Sequence, residues 1–461
     1  MPHPLLAPSD APACPIWLVT DKTWPDIAET LPASARAFAA AQGFEPKPGR
    51  HCLLPAADGS LQAVVFGLDS AEGKHSDPFL VGKLPTILPE GVYRFASEPA
   101  DPALATLAWL LGAYRFERYR RGSGKSVRLV PPEAIDLGEV IRIANAVAWG
   151  RDLINTPTND LGPDGIEAAA RKLADKHGAQ FEATVGDDLL AHNFPMIHAV
   201  GRASAVAPRL VDITWGQADA PRVTLVGKGV AFDTGGLNIK PSSSMATMKK
   251  DMGGAAAALA LADMIMSAGL PIRLRVLVPA VENAISGAAF RPGDVLPSRK
   301  GLTVEIGNTD AEGRLILADA LALADEESPD LIIDFATLTG AARVALGPDL
   351  PPFYTEDDAL ADDIERVARD VNDPVWRLPL WAPYAAMLES KIADINHISG
   401  GAFAGSITAA LFLRRFVTAA KAHVHFDIFA WNPSAKPGRP EGGEVQAARL
   451  VYALLKERYG S

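Results

Sequence analysis

Asn308-Thr309-Asp310-Ala311-Glu312-Gly313-Arg314-Leu315 is the stretch on which the reading of this chain turns. Upstream of it, Leu302 to Gly307 alternates apolar and polar residues, as a half-buried strand does. Downstream, Leu315 to Ala324 is Leu, Ile and Ala apart from Asp319, as a buried helix is. Two carboxylates and a guanidinium therefore fall where a strand passes into a helix, the sheet edge at which α/β proteins build their sites. Asp310 and Glu312 stand two apart, a spacing that aims both side chains the same way if the turn is extended. A plain helix start also accounts for them, because acidic residues suit the positive end of the helix dipole. Residues elsewhere in the chain must decide.

The chain has 461 residues, enough for two domains. Hydrophobic residues make up 48% and charged residues 21%, a globular balance. A net charge of -11 argues against a dedicated binder of nucleic acid or anionic membrane. Met1-Pro2-His3-Pro4 lacks the basic and apolar regions of a signal peptide. The longest apolar run, Ala255 to Met266, is interrupted by Asp263 and falls short of a membrane span. Cys14 and Cys52 offer neither zinc-finger spacing nor a disulfide framework. A cytoplasmic enzyme is the default expectation.

Residues 1–130 read as a small α/β domain, with strands at 16–20, 61–67 and 91–95 and helices at 33–41 and 103–119. No catalytic constellation stands out there, and His51 and His75 are isolated. The boundary falls in Arg115 to Pro132. Arg115, Arg118, Arg120, Arg121, Lys125 and Arg128 surround Gly122-Ser123-Gly124, and Pro131-Pro132 closes the stretch, which is linker chemistry. A solvated hinge or subunit contact is the expectation, an anion patch the alternative. A linking helix at 134–154 breaks at Asn155-Thr156-Pro157. Beyond it come a helix at 165–177 and strands at 181–185, 209–213 and 222–226. The alternation predicts a larger α/β domain, 131–461, around a mostly doubly wound sheet.

The strand at 222–226 runs into Gly227-Lys228-Gly229-Val230-Ala231-Phe232-Asp233-Thr234-Gly235-Gly236. This segment lacks the third glycine of a dinucleotide fingerprint and the Gly-Lys-Ser/Thr of a P-loop. Its charges are Lys228 and Asp233, with Lys240 just beyond; surface ion pairs are the plain alternative. Asp251 opens an Ala-rich helix, where the dipole alone would favour it. Three strand-to-helix junctions thus offer Asp233, Asp251, Asp310 and Glu312. Four carboxylates at one edge repel one another, and divalent cations relieve that repulsion. None of the nine histidines lies in these segments, which argues against a His-rich zinc site.

These stretches resemble the leucyl (cytosol) aminopeptidase family of di-metal exopeptidases. The likeness rests on Val226 to Gly236, Met248 to Gly254, Glu282-Asn283 with Arg291 to Asp294, Asn308 to Leu315, and Ala336 to Ala341. Pro379 to Trp381 and Asp394 to Ala410 fit more loosely. The resemblance implies a hydrolase, an aminopeptidase that uses two divalent ions, manganese or zinc. Lys228, Asp233, Asp251 and Glu312 would hold one ion; Asp233, Asp310 and Glu312 would hold the other. Lys228 would have to bind as the neutral amine. A hydroxide bridging the ions would attack the peptide, with Lys240 beside the scissile carbonyl. Arg314 would hold a bicarbonate that shuttles the proton, or else would pair with Asp310 or Glu312.

The resemblance further implies that Met248, Thr337 and Gly340 line the pocket for the first side chain, suited to Leu or another apolar residue. Leu338 would offer its carbonyl to the substrate backbone. Trp431 to Glu444 is richer in Pro, Gly and charge than the family's usual segment, which puts that preference in question. His423 and His425 read as structural. The expected assembly is a homo-hexamer in the cytoplasm, acting on peptides. A DNA-binding regulatory role and hydrolysis of another amide or of a phosphoester are the alternatives.

Overall fold

The computed structural model describes residues 3–69, 77–120, 122 and 125–460; the sequence readings at His75, Arg121, Ser123 and Gly124 lie outside the described residues. The chain separates into two compact units. One comprises residues 1–148 with 434–441, the other 149–433 with 442–461. The helix Leu137–Asn155 carries the chain from the first to the second.

The smaller unit is built on a five-stranded sheet. Its strands are β1 (Cys14–Val19), β2 (His51–Pro55), β3 (Leu61–Gly67), β4 (Gly91–Phe95) and β5 (Val127–Leu129), in the order β2-β3-β1-β4-β5. Only β2 runs antiparallel. The helix Pro102–Gly112 starts where Asp101 accepts the Leu104 N–H and Pro102 sets the first turn. It stops short of the expected 119, because the Arg115 guanidinium donates to the Gly112 carbonyl and closes the end.

The larger unit carries β6 (Gln180–Val185), β7 (Arg209–Trp215), β8 (Arg222–Gly227), β9 (Gly229–Asp233), β10 (Arg273–Asn283), β11 (Val295–Pro297) and β12 (Thr303–Glu305). Further along come β13 (Leu331–Ala336), β14 (Pro352–Tyr354), β15 (Trp376–Arg377), β16 (Ile395–Asn396) and β17 (His423–Asp427). The main sheet runs β15-β14-β17-β13-β8-β10-β7-β6, with β9 also on β10. Its centre, β17, β13, β8 and β10, is parallel. Its flanks are mixed: β7 meets β10, β6 meets β7 and β14 meets β17 antiparallel.

Two helices sandwich that centre. Glu312–Asp325 packs Leu315, Ile316 and Leu317 onto Val226, Leu277 and Ile332. The alternate residues Leu225, Val276 and Ile333 point to the other face. There lies the helix Gly253–Ala268, so rich in Ala and Gly that its backbone reaches the sheet: a Cβ on Gly254 would stand 2.1 Å from the Phe335 carbonyl oxygen. With the turn before it, Met248–Ala268 is apolar and long enough to span a membrane by composition, contrary to the sequence expectation. Yet 89% of that stretch is buried in the protein, so it is a core helix.

The strand before Asn308 also departs from expectation. β12 belongs to a separate three-stranded sheet with β11 and β16, not to the main sheet. Periodicity reports a strand and not its partners. Because Gly254 admits no side chain, Gly254→Ala should lower stability by roughly 1–3 kcal/mol. Urea unfolding checks it; an unchanged midpoint would contradict this seating of the helix.

Candidate metal centre

The residues singled out from sequence collect beyond the carboxyl ends of the parallel strands, where loops diverge and leave a crevice. Lys228 follows β8 and Asp233 closes β9. Thr337 follows β13, Asn283 ends β10 and Asp427 ends β17. Asp251 sits in the 3-10 turn Met248–Met252 that leads into the Ala-rich helix. Glu312 is the first residue of its own helix, and Asp310 lies in the 3-10 turn before it. Asp310 and Glu312 therefore converge through a tight helical turn, not the extended one their spacing suggested.

Oxygens of Asp233, Asp310 and Glu312 lie within 4.8 Å of one another, an arrangement that could hold a cation. Two ammonium groups bridge the cluster. Lys228 Nζ stands 2.9 Å from Asp251 Oδ2 and 3.0 Å from Glu312 Oε1, and donates to the Thr337 carbonyl at 2.9 Å. Lys240 Nζ stands 2.7 Å from Asp233 Oδ2 and 2.5 Å from Asp310 Oδ1. Four carboxylates thus share two lysines. Asp251 Oδ2, Asp310 Oδ1 and both Glu312 oxygens have no hydrogen bond of good geometry, although three of them lie at ion-pair distance from a lysine. Such short contacts with poor direction show strong attraction between groups that are not each other's ideal partners.

The electrostatics agree. Burial and the Asp251 carboxylate push Asp233 up to about 6. Burial, then Asp233, lift Glu312 well above the carboxylate range. Burial opposes the charge on Lys228, but Asp251, Glu312 and Asp233 outweigh it and raise its pKa; Lys240 is raised the same way, chiefly by Asp233. Asp251 is buried too, yet Lys228 and Lys250 hold it below its usual value. Lys250, a neighbour that sequence reasoning passed over, is lowered by burial to about 7.

The backbone around these groups is held firmly. Asn283 donates from Nδ2 to Asp233 Oδ1 at 2.8 Å and to the Thr309 carbonyl at 3.1 Å. Asn308 accepts the Asp310 N–H at 2.8 Å, so it shapes the turn. Gly313 is needed for space: a Cβ there would meet Lys228 Cε at 2.4 Å. Arg314 is buried, donates from Nη1 to the His397 carbonyl at 2.6 Å, and leaves Nε without a partner. It forms no ion pair with Asp310 or Glu312. Burial, with the Arg314 charge beside it, keeps His397 neutral, at about 3.

The loop after β13 is anchored from below. Thr337 Oγ1 donates to Asp251 Oδ1 at 2.7 Å, and its carbonyl holds Lys228. Asp427 in turn accepts the N–H groups of Leu338 and Thr339 and the Thr339 hydroxyl, and pairs with Arg343 at 2.9 Å. Sequence reasoning missed Asp427 and Arg343, since lone charges 84 residues apart give no local signal. Of the expected pocket residues, Thr337 is buried, Met248 and Leu338 are half-buried, and Gly340 is exposed with no atom within 4 Å of a Cβ built on it. His423 and His425 both bond to Asp334 within the sheet.

A two-unit α/β chain with a lysine-bearing carboxylate cluster at its strand ends belongs among cation-dependent hydrolases in architecture, and comparison with known proteins narrows that class. Residues 148–452 match the model of the cytosol aminopeptidase family catalytic domain, and residues 14–132 the M17 aminopeptidase N-terminal domain. The chain belongs to the cytosol aminopeptidase family. A protein of Roseiflexus castenholzii named "Probable cytosol aminopeptidase" is 40% identical over 374 residues, covering 77% of this chain and 76% of that one. The crystal structure of a cytosol aminopeptidase from Coxiella burnetii superposes with a TM-score of 0.92 at 45% identity, over 98% of each chain. The bottromycin maturation enzyme BotP, solved with manganese, gives 0.86 at 34% identity, over 97% of this chain and all of that one. The chain is thus a peptidase, a metal-dependent aminopeptidase.

Asp427 is held below its usual value; burial opposes its charge, and Arg343, His425 and the Thr339 hydroxyl prevail. A depressed carboxyl stabilises the fold above its ordinary value of 3.8, and loses that contribution as pH falls through the lower folded value. Asp427→Ala should cost about 3–5 kcal/mol by leaving Arg343 without its counter-charge. Adding Arg343→Met should return part of that loss. Thermal unfolding of the single and double variants checks this; additive losses would show that the pair is not coupled.

Proposed function

We propose that this chain releases N-terminal residues from peptides at a two-metal centre formed by Lys228, Asp233, Asp251, Asp310 and Glu312. The observation that carries the reading is the set of buried carboxylate oxygens without good hydrogen bonds, facing two lysines that cannot balance four acids. Oxygen donors of that kind suit manganese, magnesium or zinc. Asp233 and Glu312 would serve both ions, Lys228 and Asp251 one, and Asp310 the other. Bound ions would supply Lewis acidity and an acidified water.

The chain's own residues account for the rest. Lys228 would give up its proton and bind through the amine, its stem seated against Gly313 and its position fixed by the Thr337 carbonyl. Lys240, released from Asp233 and Asp310, would point its ammonium at the substrate carbonyl oxygen and stabilise negative charge as it grows there. Arg314 has an unpaired Nε and no carboxylate partner, so its planar edge is available to a bicarbonate or another planar anion. Thr337, Met248 and Gly340 would border the first side chain, with open space at Gly340, and Leu338 would present its carbonyl to the substrate backbone. The hexamer and the cytoplasmic setting belong to the same proposal. Val344 at 91% exposure and Phe403 at 83% are apolar surfaces that an assembly would cover.

Metal analysis of Asp310→Asn should show one ion fewer per chain than the parent protein. Arg314→Ala should keep both ions and slow turnover by roughly 10²-fold. Loss of metal in the arginine variant would remove Arg314 from the role given to it. Affinity for manganese should weaken as pH drops through about 6, where Asp233 takes up a proton and ceases to be a ligand. Calorimetric titration between pH 5 and 8 measures this, and a flat profile would count against Asp233 as a ligand.

A further inference from the structure

The smaller unit gives no residue to the proposed metal centre, yet it holds a cavity of about 470 Å³, within the size range of small-molecule sites. Topology sets its place. From β1 the chain travels towards β2 at one edge of the sheet, and from β4 towards β5 at the other, so the direction of winding reverses between β1 and β4. Crevices open at such points, beyond the carboxyl ends of parallel strands. The loops that follow β1, β3 and β4 supply Thr20, Leu68 and Ser97 to the wall. The helix Trp24–Thr30 adds Ile27, the 3-10 turn Leu80–Lys83 adds Leu80, and the helix Pro102–Gly112 adds Leu104. Ile27, Leu68, Leu80 and Leu104 are only half-buried, so large apolar side chains border open space. A cavity walled in that way suits an apolar body.

The polar groups decide what charge that body carries. The hydroxyls are satisfied within the chain. Thr20 and Thr23 bond each other at 3.2 Å, and Ser97 accepts the Leu18 N–H at 2.7 Å and donates to the Leu18 carbonyl at 3.1 Å. There remain the carboxylates of Asp69, Asp77, Glu98 and Asp101. No Lys, Arg or His is among the described residues that line the cavity. Asp77 and Asp101 accept the N–H groups of Phe79 and Leu104, which leaves their charge in place. The Asp69 and Glu98 side chains have neither a hydrogen bond nor an ion pair among the described residues. An anion is excluded by the same residues. The helix Pro102–Gly112 starts beside the cavity, where a phosphate is often held. Its first turn is closed to one: Asp101 takes the Leu104 N–H, and Pro102 has no N–H to give.

We propose that this cavity binds a small organic cation, an ammonium on an alkyl or arylalkyl body, with the ammonium among the four carboxylates and the body between Leu18, Ile27, Leu80 and Leu104. A free amino acid is disfavoured, since its own carboxylate would enter the same acidic rim. The site does not depend on the aminopeptidase reading.

Calorimetry on the manganese-loaded full chain tests this with 2-phenylethylammonium, its N-trimethyl derivative and 3-phenylpropionate. A primary amine can also coordinate a metal; the trimethylated one has no lone pair, so its binding reports the cavity alone. We expect one trimethylated cation bound per chain with a Kd below about 1 mM, and no binding of 3-phenylpropionate. Asp69→Asn with Glu98→Gln should weaken the cation by roughly 10-fold. Leu104→Trp, which fills the cavity, should abolish its binding. No binding of the trimethylated cation, equal binding of 3-phenylpropionate, or an affinity unchanged by both sets of substitutions would overturn the proposal. The contrast between cation and anion in the wild type decides the matter even if a variant fails to fold.

Discussion

Four carboxylates, three of them buried, set against two lysines form the constraint around which the larger unit is arranged. Repulsion among Asp233, Asp251, Asp310 and Glu312 would drive them apart unless the scaffold over-determined their places. The parallel centre of the sheet does so. Its strands end together, and each delivers one part: Lys228 from β8, Thr337 from β13, Asn283 from β10 and Asp427 from β17. The helices on the two faces then place Glu312 in a first turn and Asp251 in the 3-10 turn just ahead of one, where backbone N–H groups favour negative charge. Lys228 ties the two helix starts to the loop after β13 through one ammonium.

Close packing is what lets so much charge be buried. Gly254 brings a helix backbone onto Phe335, and Gly313 makes room for the Lys228 stem. Side chains at either position would push an acid-bearing turn away from the cluster. The same compactness makes the polar supports obligatory. Asn283 bonds both Asp233 and the Thr309 carbonyl, and Asp427 closes the 337–339 loop. Each stands behind a group proposed to touch a metal or the substrate and fixes its direction.

Much of this was legible in the sequence. The alternation of Arg222 to Val226, the Ala-rich run beyond Asp251 and the apolar run beyond Arg314 marked strand and helices, and the acids at their junctions marked the crevice. The likeness of Lys228 to Gly236 and Asn308 to Leu315 to one family supplied the ligand set that spacing left open. Other features could not be read there. β12 pairs with β11 and β16 and not with the main sheet, a tertiary fact that periodicity does not encode. Asp427 and Arg343 meet only in the fold. Lys250 looked like one more charge in Met248-Lys249-Lys250-Asp251, and only its burial beside Phe429 sets it apart.

In the proposed centre, divalent ions take over the carboxylates that Lys228 and Lys240 now share. Protons must leave when they do, from the Lys228 ammonium and from whichever of Asp233 and Glu312 is protonated. Calorimetry of manganese binding to metal-free protein at pH 7.5, repeated in buffers of different ionisation enthalpy, counts those protons directly. We expect two ions bound per chain with about one to two protons released. Binding of a single ion, or of two with no proton released, would contradict a site in which Lys228 is a ligand.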